Sequence, residues 1–492
     1  MTATTSSHPV ADRALCYRAL VARDTRFDGV FFTGVRTTGI YCRPVCAVKT
    51  PRESSCEFFA SAAAAEAAGF RPCLRCRPEL APYAVQQNLA HAVWQRIAAG
   101  ALNGGDVEQL AGDVGLSSRQ LRRVLLQHFG VTPVELAQTQ RLLFAKKLLQ
   151  ETSLPMVDVA YAAGFGSVRR FNTLFAQRYR MAPTAVRRAA GTERSGDALT
   201  LRLAYRPPYA WDALARYLAG RAIAGVETVQ DAGGTLAYGR SVHLDGCSGW
   251  LRITHLPERQ QLQAEIATTL SPVLMPLVAR LRSQFDLDAN PAAIATHLGD
   301  DPLLAPAIAR HPGLRVPGAF DAFELAVRAV LGQQVSVAGA TTLSGRLVER
   351  FGEACGTPLP GVARHFPAPH VLAQADVDAI AAIGLPGKRA AAIRNIARFA
   401  LEGGLRPRAG CTLDEAVAAL KTVEGIGAWT AQYIALRALR FPDAFPAGDL
   451  GLQKAAARDT GDDRLTERQL AARAHAWSPW RGYAALLLWQ PD

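Results

Sequence analysis

Apolar residues recur at helical spacing through most of the chain, and one departure from that spacing marks where other structure is expected. Between 85 and 192 the pattern is helical throughout, and it contains a repeat. "VEQLAGDVGLSSRQLRRVLLQHFG" and "MVDVAYAAGFGSVRRFNTLFAQRYR" each place an alanine in a short apolar helix (Ala111, Ala160). Each continues with a glycine turn (Gly115, Gly164), a serine N-cap region (Ser117, Ser167) and a basic amphipathic helix. That is the layout of a helix-turn-helix, present twice. "PVELAQTQRLLFAKKLLQ" between the copies predicts one long connecting helix. From 199 to 285 the period changes to two in "LTLRLAY", "VETVQ", "SVHLD", "WLRITHL" and "LQAEIAT", which predicts a small antiparallel sheet. From 286 onward helical spacing returns. Breaks are expected at "RCRPELAPY" (75–83), at "AAGTERSGDALT" (189–200) and near "SQFDLDANP" (283–291).

Charge changes this picture by locating a partner. Of the net +13, residues 1–82 carry 11 Lys+Arg against 7 Asp+Glu, and residues 83–192 carry 13 against 6. The remaining 300 residues are almost balanced, at 31 against 29. A basic N-terminal portion points to a polyanion such as nucleic acid. No apolar run approaches the roughly 18 residues that span a bilayer, and the first residues lack a secretory signal. A cytoplasmic, nucleoid-associated protein is expected, with no membrane partner and with its thiols reduced.

Four of the nine cysteines form two close pairs, Cys42-x3-Cys46 and Cys73-x2-Cys76. Two such pairs can fold four sulfurs around one Zn²⁺, whose tetrahedral preference and affinity for thiolate suit them. Cys16 and Cys56 lie outside both pairs and read as buried free thiols. A closed Cys₄ site is ordinarily a structural staple, yet Arg43, Lys49, Arg52, Arg71, Arg75 and Arg77 surround this one in sequence. Cations and metal both hold sulfur in its nucleophilic form, so structure and reactivity both remain open at this point.

The stretch "VRTTGIYCRPVC…AAGFRPCLRC" resembles the N-terminal domain of the Ada family, over roughly residues 10–82. That resemblance implies repair of methylphosphotriesters, with Cys42 as methyl acceptor and metal ligand and with Cys46, Cys73 and Cys76 as the other ligands. Arg43 and Arg71 are then expected to meet DNA. Residues 85–190 resemble the AraC-type regulators, most specifically in "AAGFGSVRRFNTLFAQRYRMAP". By that likeness the helices near Ser117–Gln127 and Ser167–Gln177 enter successive major grooves. Arg119, Arg122, Arg123, Arg169 and Arg170 become candidates for phosphate or guanine contacts.

The C-terminal part contains "LKTVEGIGAWTAQYIALRAL", with Gly425 and Gly427 placed to let backbone amides approach a phosphate, and Asp449 follows in "AFPAGDLGLQK". With "VPGAFDAFELAVRAVLGQQVSVA" and "WSPWRGYAALLLW", residues 199–492 are similar to the AlkA-type 3-methyladenine DNA glycosylases of the helix-hairpin-helix superfamily. The resemblance implies Asp449 as catalytic carboxylate, Trp429, Tyr433 and Trp489 as walls of a base pocket, and Gln334 at the position that wedges into DNA. This chain departs from that family in having Gly448 and Leu450 around the aspartate and glutamine rather than leucine at 334. The Pro-Cys-His-Arg motif of an alkylguanine transferase is missing; Cys247, Cys355 and Cys411 lie in unrelated contexts.

The expected architecture is multidomain and predominantly α. It comprises a small α/β zinc domain (1–82), an all-α double helix-turn-helix domain (83–192), an α+β sheet subdomain (199–285) and an all-α helix-hairpin-helix domain (286–492). The expected function joins phosphotriester repair, activation of alkylation-response genes and excision of bases such as 3-methyladenine, with one Zn²⁺ in a Cys₄ site. Its partners would be alkylated and promoter double-stranded DNA and RNA polymerase, and the protein would act as a monomer. The alternative is a zinc-containing activator whose glycosylase-like half binds DNA without catalysis.

Overall fold

In a computed structural model the structure describes residues 10, 12–81, 89–190, 198–408, 410–458 and 463–490. The break expected at 189–200 falls largely outside these residues, as does the end of the one at 75–83. Two compact units are formed. The first contains residues 1–206 with 257–279 and 408–410, and the second contains 207–256, 280–407 and 411–492.

The first unit begins with helix α1 (Arg13–Val21) and a four-stranded sheet of order β3-β1-β2-β4. Strand β1 (Phe32–Val35) lies antiparallel to β2 (Ile40–Cys42) and to β3 (Cys56–Phe59). Strand β4 (Arg71–Pro72) is parallel to β2, with Ile40 opposite Arg71 and Tyr41 opposite Pro72. This register matters chemically. It makes Cys42 and Cys73 the next residues along two adjacent strands, so the distant cysteine pairs meet at one sheet end. Phe32, Tyr41, Phe70 and Ala65 of helix α2 (Ala62–Ala67) form the core beneath.

After helix α3 (Leu89–Ala98) come the two predicted copies: α4 (Val107–Asp113) with α5 (Ser118–Phe129), and α7 (Met156–Ala162) with α8 (Val168–Tyr179). Ser117 and Ser167 cap α5 and α8 as expected, each accepting a bond from the amide three residues on. The turn glycines have positive φ, 71° at Gly115 and 82° at Gly164. Between the copies runs α6 (Pro133–Glu151), opened by a capping box of Thr132 and Glu135. Its 19 residues make it about 28 Å long. Helix α9 (Pro183–Ala190) closes this part. The strand Ala198–Ala204 pairs antiparallel with Gln261–Ala267 in the same unit.

The second unit holds the other three predicted strands as an antiparallel meander, Glu227–Asp231, Leu236–Leu244 and Cys247–Leu256. All five strands form where period-two alternation places them, and the unit division passes through that segment. Helix α10 (Trp211–Ala219) precedes the meander. The remainder is helical. Its main elements are α11 (Ala322–Leu331), α12 (Val337–Phe351), α13 (Gly387–Leu401), α14 (Leu413–Lys421), α15 (Ala428–Arg437), α16 (Leu450–Ala455) and α17 (Arg481–Leu488). Two buried apolar clusters organise it. One surrounds Val330, Ile393 and Ile434, and the other surrounds Leu452, Trp477 and Leu486. Among the described residues no helix is long and apolar enough to cross a membrane.

Candidate metal centre and candidate active site

The sulfurs of Cys42, Cys46, Cys73 and Cys76 all lie within 4.8 Å of one another. A tetrahedron with Zn–S bonds of about 2.3 Å has edges of about 3.8 Å, so the donor set fits Zn²⁺ in number, chemistry and spacing. Cys42, Cys46 and Cys73 are buried, and Cys76 is the most exposed of the four. Backbone amides support two sulfurs: Arg43 N donates to Cys76 Sγ (3.4 Å) and Cys76 N to Cys73 Sγ (3.5 Å). Cys16 and Cys56 are buried thiols outside this cluster, with burial pushing Cys16 up to about 11 and raising Cys56 above its ordinary value.

Two of the arginines that lie near the cysteines in sequence are part of the frame. Arg43 pairs with Asp28 through Nε (2.9 Å) and Nη2, and its Nη1 donates to Cys76 O (3.2 Å). Its side chain is only 12% exposed, enclosed by the Asp28 carboxylate and the Cys76 carbonyl. The physical reason is electrostatic. Asp28 is buried beside a centre that carries negative charge with Zn²⁺ bound, and an arginine between them neutralises both. Arg77 likewise holds Glu79 and Glu151. Arg71 keeps partial exposure, in a polar cleft with Gln138, Gln177, Arg178 and Arg180.

Helix α6 fastens the metal module to the helix-turn-helix pair. The fully buried Lys146 donates to Cys73 O (3.3 Å) and Glu79 (2.6 Å). Glu66 of α2 accepts from Tyr41 (3.0 Å), from Thr139 of α6 (2.8 Å) and from Arg178 of α8 (2.8 Å). Burial pushes the Glu66 carboxyl up to about 7, against the opposing pull of Arg178, Thr139 and Tyr41. On α5 the apolar face of Leu121, Leu125 and Phe129 turns inward and Arg119, Arg122 and Arg123 are exposed. Phe171, Phe175 and Tyr179 do the same for α8, leaving Arg169 and Arg170 exposed.

In the second unit Asp449 is the N-cap of α16, and its Oδ1 accepts from Leu452 N (3.0 Å). Two indoles complete its surroundings. Trp489 Nε1 donates to Oδ1 (3.1 Å) and Trp429 Nε1 to Oδ2 (2.9 Å). Trp429 and Tyr433, one turn apart on α15, stack with ring centroids 5.2 Å apart and planes 8° from parallel. The structure thus brings together all four residues expected for the active site. The neighbours differ as the sequence indicates: Gly448 is exposed, and Leu450 is 58% exposed.

Gly425 has φ of 94°, and a Cβ there would lie 2.4 Å from the Cβ of Ala392 on α13, so both conformation and packing require glycine. Gly427 is the N-cap of α15, and both glycines are exposed. Gln334 is exposed in the loop between α11 and α12, with φ of 55°. Sequence reasoning missed two residues here. Arg437, buried one turn beyond Tyr433, donates to the hydroxyls of Tyr433 and Tyr217 (both 2.6 Å). Burial alone would raise the Tyr433 phenol, but Arg437, the Tyr217 hydroxyl, Arg221 and Arg328 together hold it below its ordinary value. The i,i+4 spacing of Tyr433 and Arg437 was a signal available in the sequence. Gln333 donates to Gly425 O (3.0 Å) and Thr430 Oγ1 (3.1 Å), and only its adjacency to Gln334 hinted at it.

A four-cysteine metal module, paired helix-turn-helix units and an aspartate set among aromatics behind a glycine hairpin define a DNA-binding protein that combines regulation with base excision. Family models agree along the chain: the metal binding domain of Ada at 15–79, a helix-turn-helix domain at 110–189, the AlkA N-terminal domain at 200–321, and the HhH-GPD superfamily of base excision DNA repair proteins at 327–481. A probable bifunctional transcriptional activator/DNA repair enzyme AlkA of Mycobacterium tuberculosis is 39% identical over 96% of this chain and 95% of its own length. DNA-3-methyladenine glycosylase 2 of Escherichia coli is 38% identical over 59% of this chain and 98% of its own. A solved 3-methyladenine DNA glycosylase from Archaeoglobus fulgidus shares the fold, with TM-score 0.50 and 22% identity over 58% of this chain and 96% of that one. The chain belongs to the family of bifunctional transcriptional activator/DNA repair enzymes. It is a DNA-binding activator and DNA repair glycosylase, with Zn²⁺ held by its cysteine cluster.

Proposed function

We propose that the protein accepts methyl groups from DNA methylphosphotriesters at Cys42, activates alkylation-repair genes, and excises alkylated bases such as 3-methyladenine from double-stranded DNA. The observation that carries the excision reading is the Asp449 carboxylate, held by two indole N–H groups beside a stacked Trp429–Tyr433 platform. A flipped, cationic purine on such aromatic faces gains about 0.5–2 kcal/mol per good contact. As the glycosidic bond breaks, the base leaves with the bonding electrons and Asp449 stabilises positive charge on the sugar until water adds. Gly425 and Gly427 hold the adjacent phosphate, and Gln334 fills the vacated space.

At the other site Zn²⁺, when bound, keeps the cysteine sulfurs ionised. The Cys42 sulfur attacks the methyl carbon of a neutral triester. The S–C bond forms, the C–O bond breaks, and the phosphodiester departs with the electron pair. The thioether is stable, so each chain acts once. Arg119, Arg122, Arg123, Arg169 and Arg170 contact promoter DNA in this reading, and Arg71 contacts phosphate. The chain divides at 1–82, 83–192, 199–285 and 286–492, and it acts as a cytoplasmic, nucleoid-associated monomer with RNA polymerase as its partner at promoters.

The test is release of free 3-methyladenine from methylated duplex by the full-length protein. Wild type releases it, and Asp449→Asn abolishes release while still binding DNA. An amide cannot accept from both indoles, because its NH₂ would face an N–H, and it carries no charge for the transition state. Absence of release by wild type would leave the second unit as a DNA-gripping module without catalysis.

A further inference from the structure

The loop between α11 and α12 presents an exposed Gln334, followed by Val335 and by Val337 at the start of α12, which are 37% and 46% exposed. The residue before this tip points the other way. Gln333 Nε2 donates to the carbonyl of Gly425 in the hairpin and to the hydroxyl of Thr430. Thr430 is 3% exposed and adjoins Trp429, whose indole holds Asp449. Gly425 is itself seated against Ala392 without room for a Cβ. One carboxamide therefore joins three elements that must act together on DNA: the tip, the phosphate-facing hairpin, and the helix that carries the aromatic platform.

We propose that Gln333 is a positioning residue for base extrusion, which holds the Gln334 tip in register with the Gly425 hairpin and the Trp429 helix. This rests on the reading of the second unit as a base-flipping glycosylase. When a base leaves the stack, the space it vacates must be filled while the adjacent phosphate stays clamped. A tip free to drift relative to the hairpin fills that space in only part of the population. Chemistry on a base already outside a duplex does not need the tip. Gln333 thus acts on extrusion from paired DNA and leaves the bond-breaking step alone. Two acceptors for one NH₂ also explain the residue type. A glutamate of the same shape would place a carboxylate against the Gly425 carbonyl and repel it.

The experiment compares full-length wild type, Gln333→Ala and Gln333→Glu on one alkylated purine, placed either in a matched duplex or in single-stranded DNA. Single-turnover excision is measured on both. In an Asp449→Asn background, extrusion is followed by the fluorescence of 2-aminopurine beside the lesion. Losing two hydrogen bonds lowers duplex excision and the fluorescence rise by about tenfold, a net effect typical of such bonds. Single-strand excision should stay within about twofold, and Gln333→Glu should be impaired at least as much as Gln333→Ala. Equal losses on duplex and single strand would show a merely structural role and overturn the proposal, as would an unchanged duplex rate. If wild type excises from neither substrate, the glycosylase reading fails, and the fluorescence arm still decides the role of Gln333: a rise equal in wild type and variant overturns it.

Discussion

Removing Arg43 or its partner Asp28 should have unequal consequences, because the third charge in their neighbourhood is the metal centre. Both side chains are nearly enclosed, at 12% and 6% exposed. Arg43 reaches Asp28 at 2.9 Å and the Cys76 carbonyl at 3.2 Å. With the planar guanidinium between these contacts, the carboxylate lies about 8 Å from the Cys76 end of the centre. Zn²⁺ with four thiolates carries a formal charge of −2. At that separation and an effective dielectric of about 20, each unit of charge is worth about 2 kcal/mol. Arg43→Ala strands a buried carboxylate next to an anionic centre, and losing one partner of a buried pair costs about 3–5 kcal/mol. Asp28→Asn strands a guanidinium, but the centre attracts it and the remaining amide oxygen can still accept from Nε, so the cost should be about 1–2 kcal/mol. The difference of about 2–3 kcal/mol is a factor of about 30–150 in zinc affinity. Zinc transfer from the full-length protein to a chromogenic chelator, titrated at equilibrium, reads it directly. Arg43→Ala should lose zinc at far lower chelator concentration than Asp28→Asn. Equal losses, or a greater loss in Asp28→Asn, would refute the idea that Arg43 neutralises the centre.

Three further outcomes are expected. Purified reduced protein should contain about one zinc per chain; serine at any of Cys42, Cys46, Cys73 or Cys76 should weaken retention, whereas serine at Cys16 or Cys56 should leave it intact, as metal analysis will show. Protein treated with a methylphosphotriester oligonucleotide should gain one methyl, map to Cys42 by peptide mass spectrometry, and bind promoter DNA about tenfold more tightly, less so as salt rises, because the centre loses one negative charge facing phosphate. A methyl on Cys76, the most exposed of the four, would reassign the acceptor. Glu66, raised from 4.5 to about 7, contributes stability that is fully present below pH 4.5 and is lost as pH rises through about 7, at most about 3 kcal/mol. Melting curves against pH should therefore show a decline in wild type that Glu66→Gln flattens.

Much of this was legible in the sequence because the signals are local. Alternation located five strands, serine caps and glycines located the helix-turn-helix copies, and cysteine spacing located the metal centre. The sequence also named Asp449 and its three aromatic neighbours, because resemblance transfers residues position by position. It could not disclose what meets across long separations. Arg43 reads as a cation beside a cysteine pair that is expected to meet DNA, and only the fold shows Asp28 pairing with it. Lys146 reads as one more basic residue on an amphipathic helix, yet it is fully buried on Glu79 and the Cys73 carbonyl. The parallel register of β2 and β4, which unites the cysteine pairs, follows from strands too short to leave a periodic signal.

Helix α6 is fastened to the metal module at three heights, by Thr139 through Glu66, by Lys146 through Glu79, and by Glu151 through Arg77. These fastenings span about 18 Å of helix. A brace that long leaves the sulfur of Cys42, the acceptor proposed above, no independent reach. Once the recognition helices are seated, the part of the DNA backbone that the sulfur can touch is already chosen. The protein on its promoter would then be a poor searcher for damage elsewhere, so that, with Cys42 as the proposed acceptor, collecting the methyl group and occupying the promoter become successive stages in the life of one molecule. On the proposed reading, each methylated chain would carry its message forward in time, and the number of such chains would record the lesions already met.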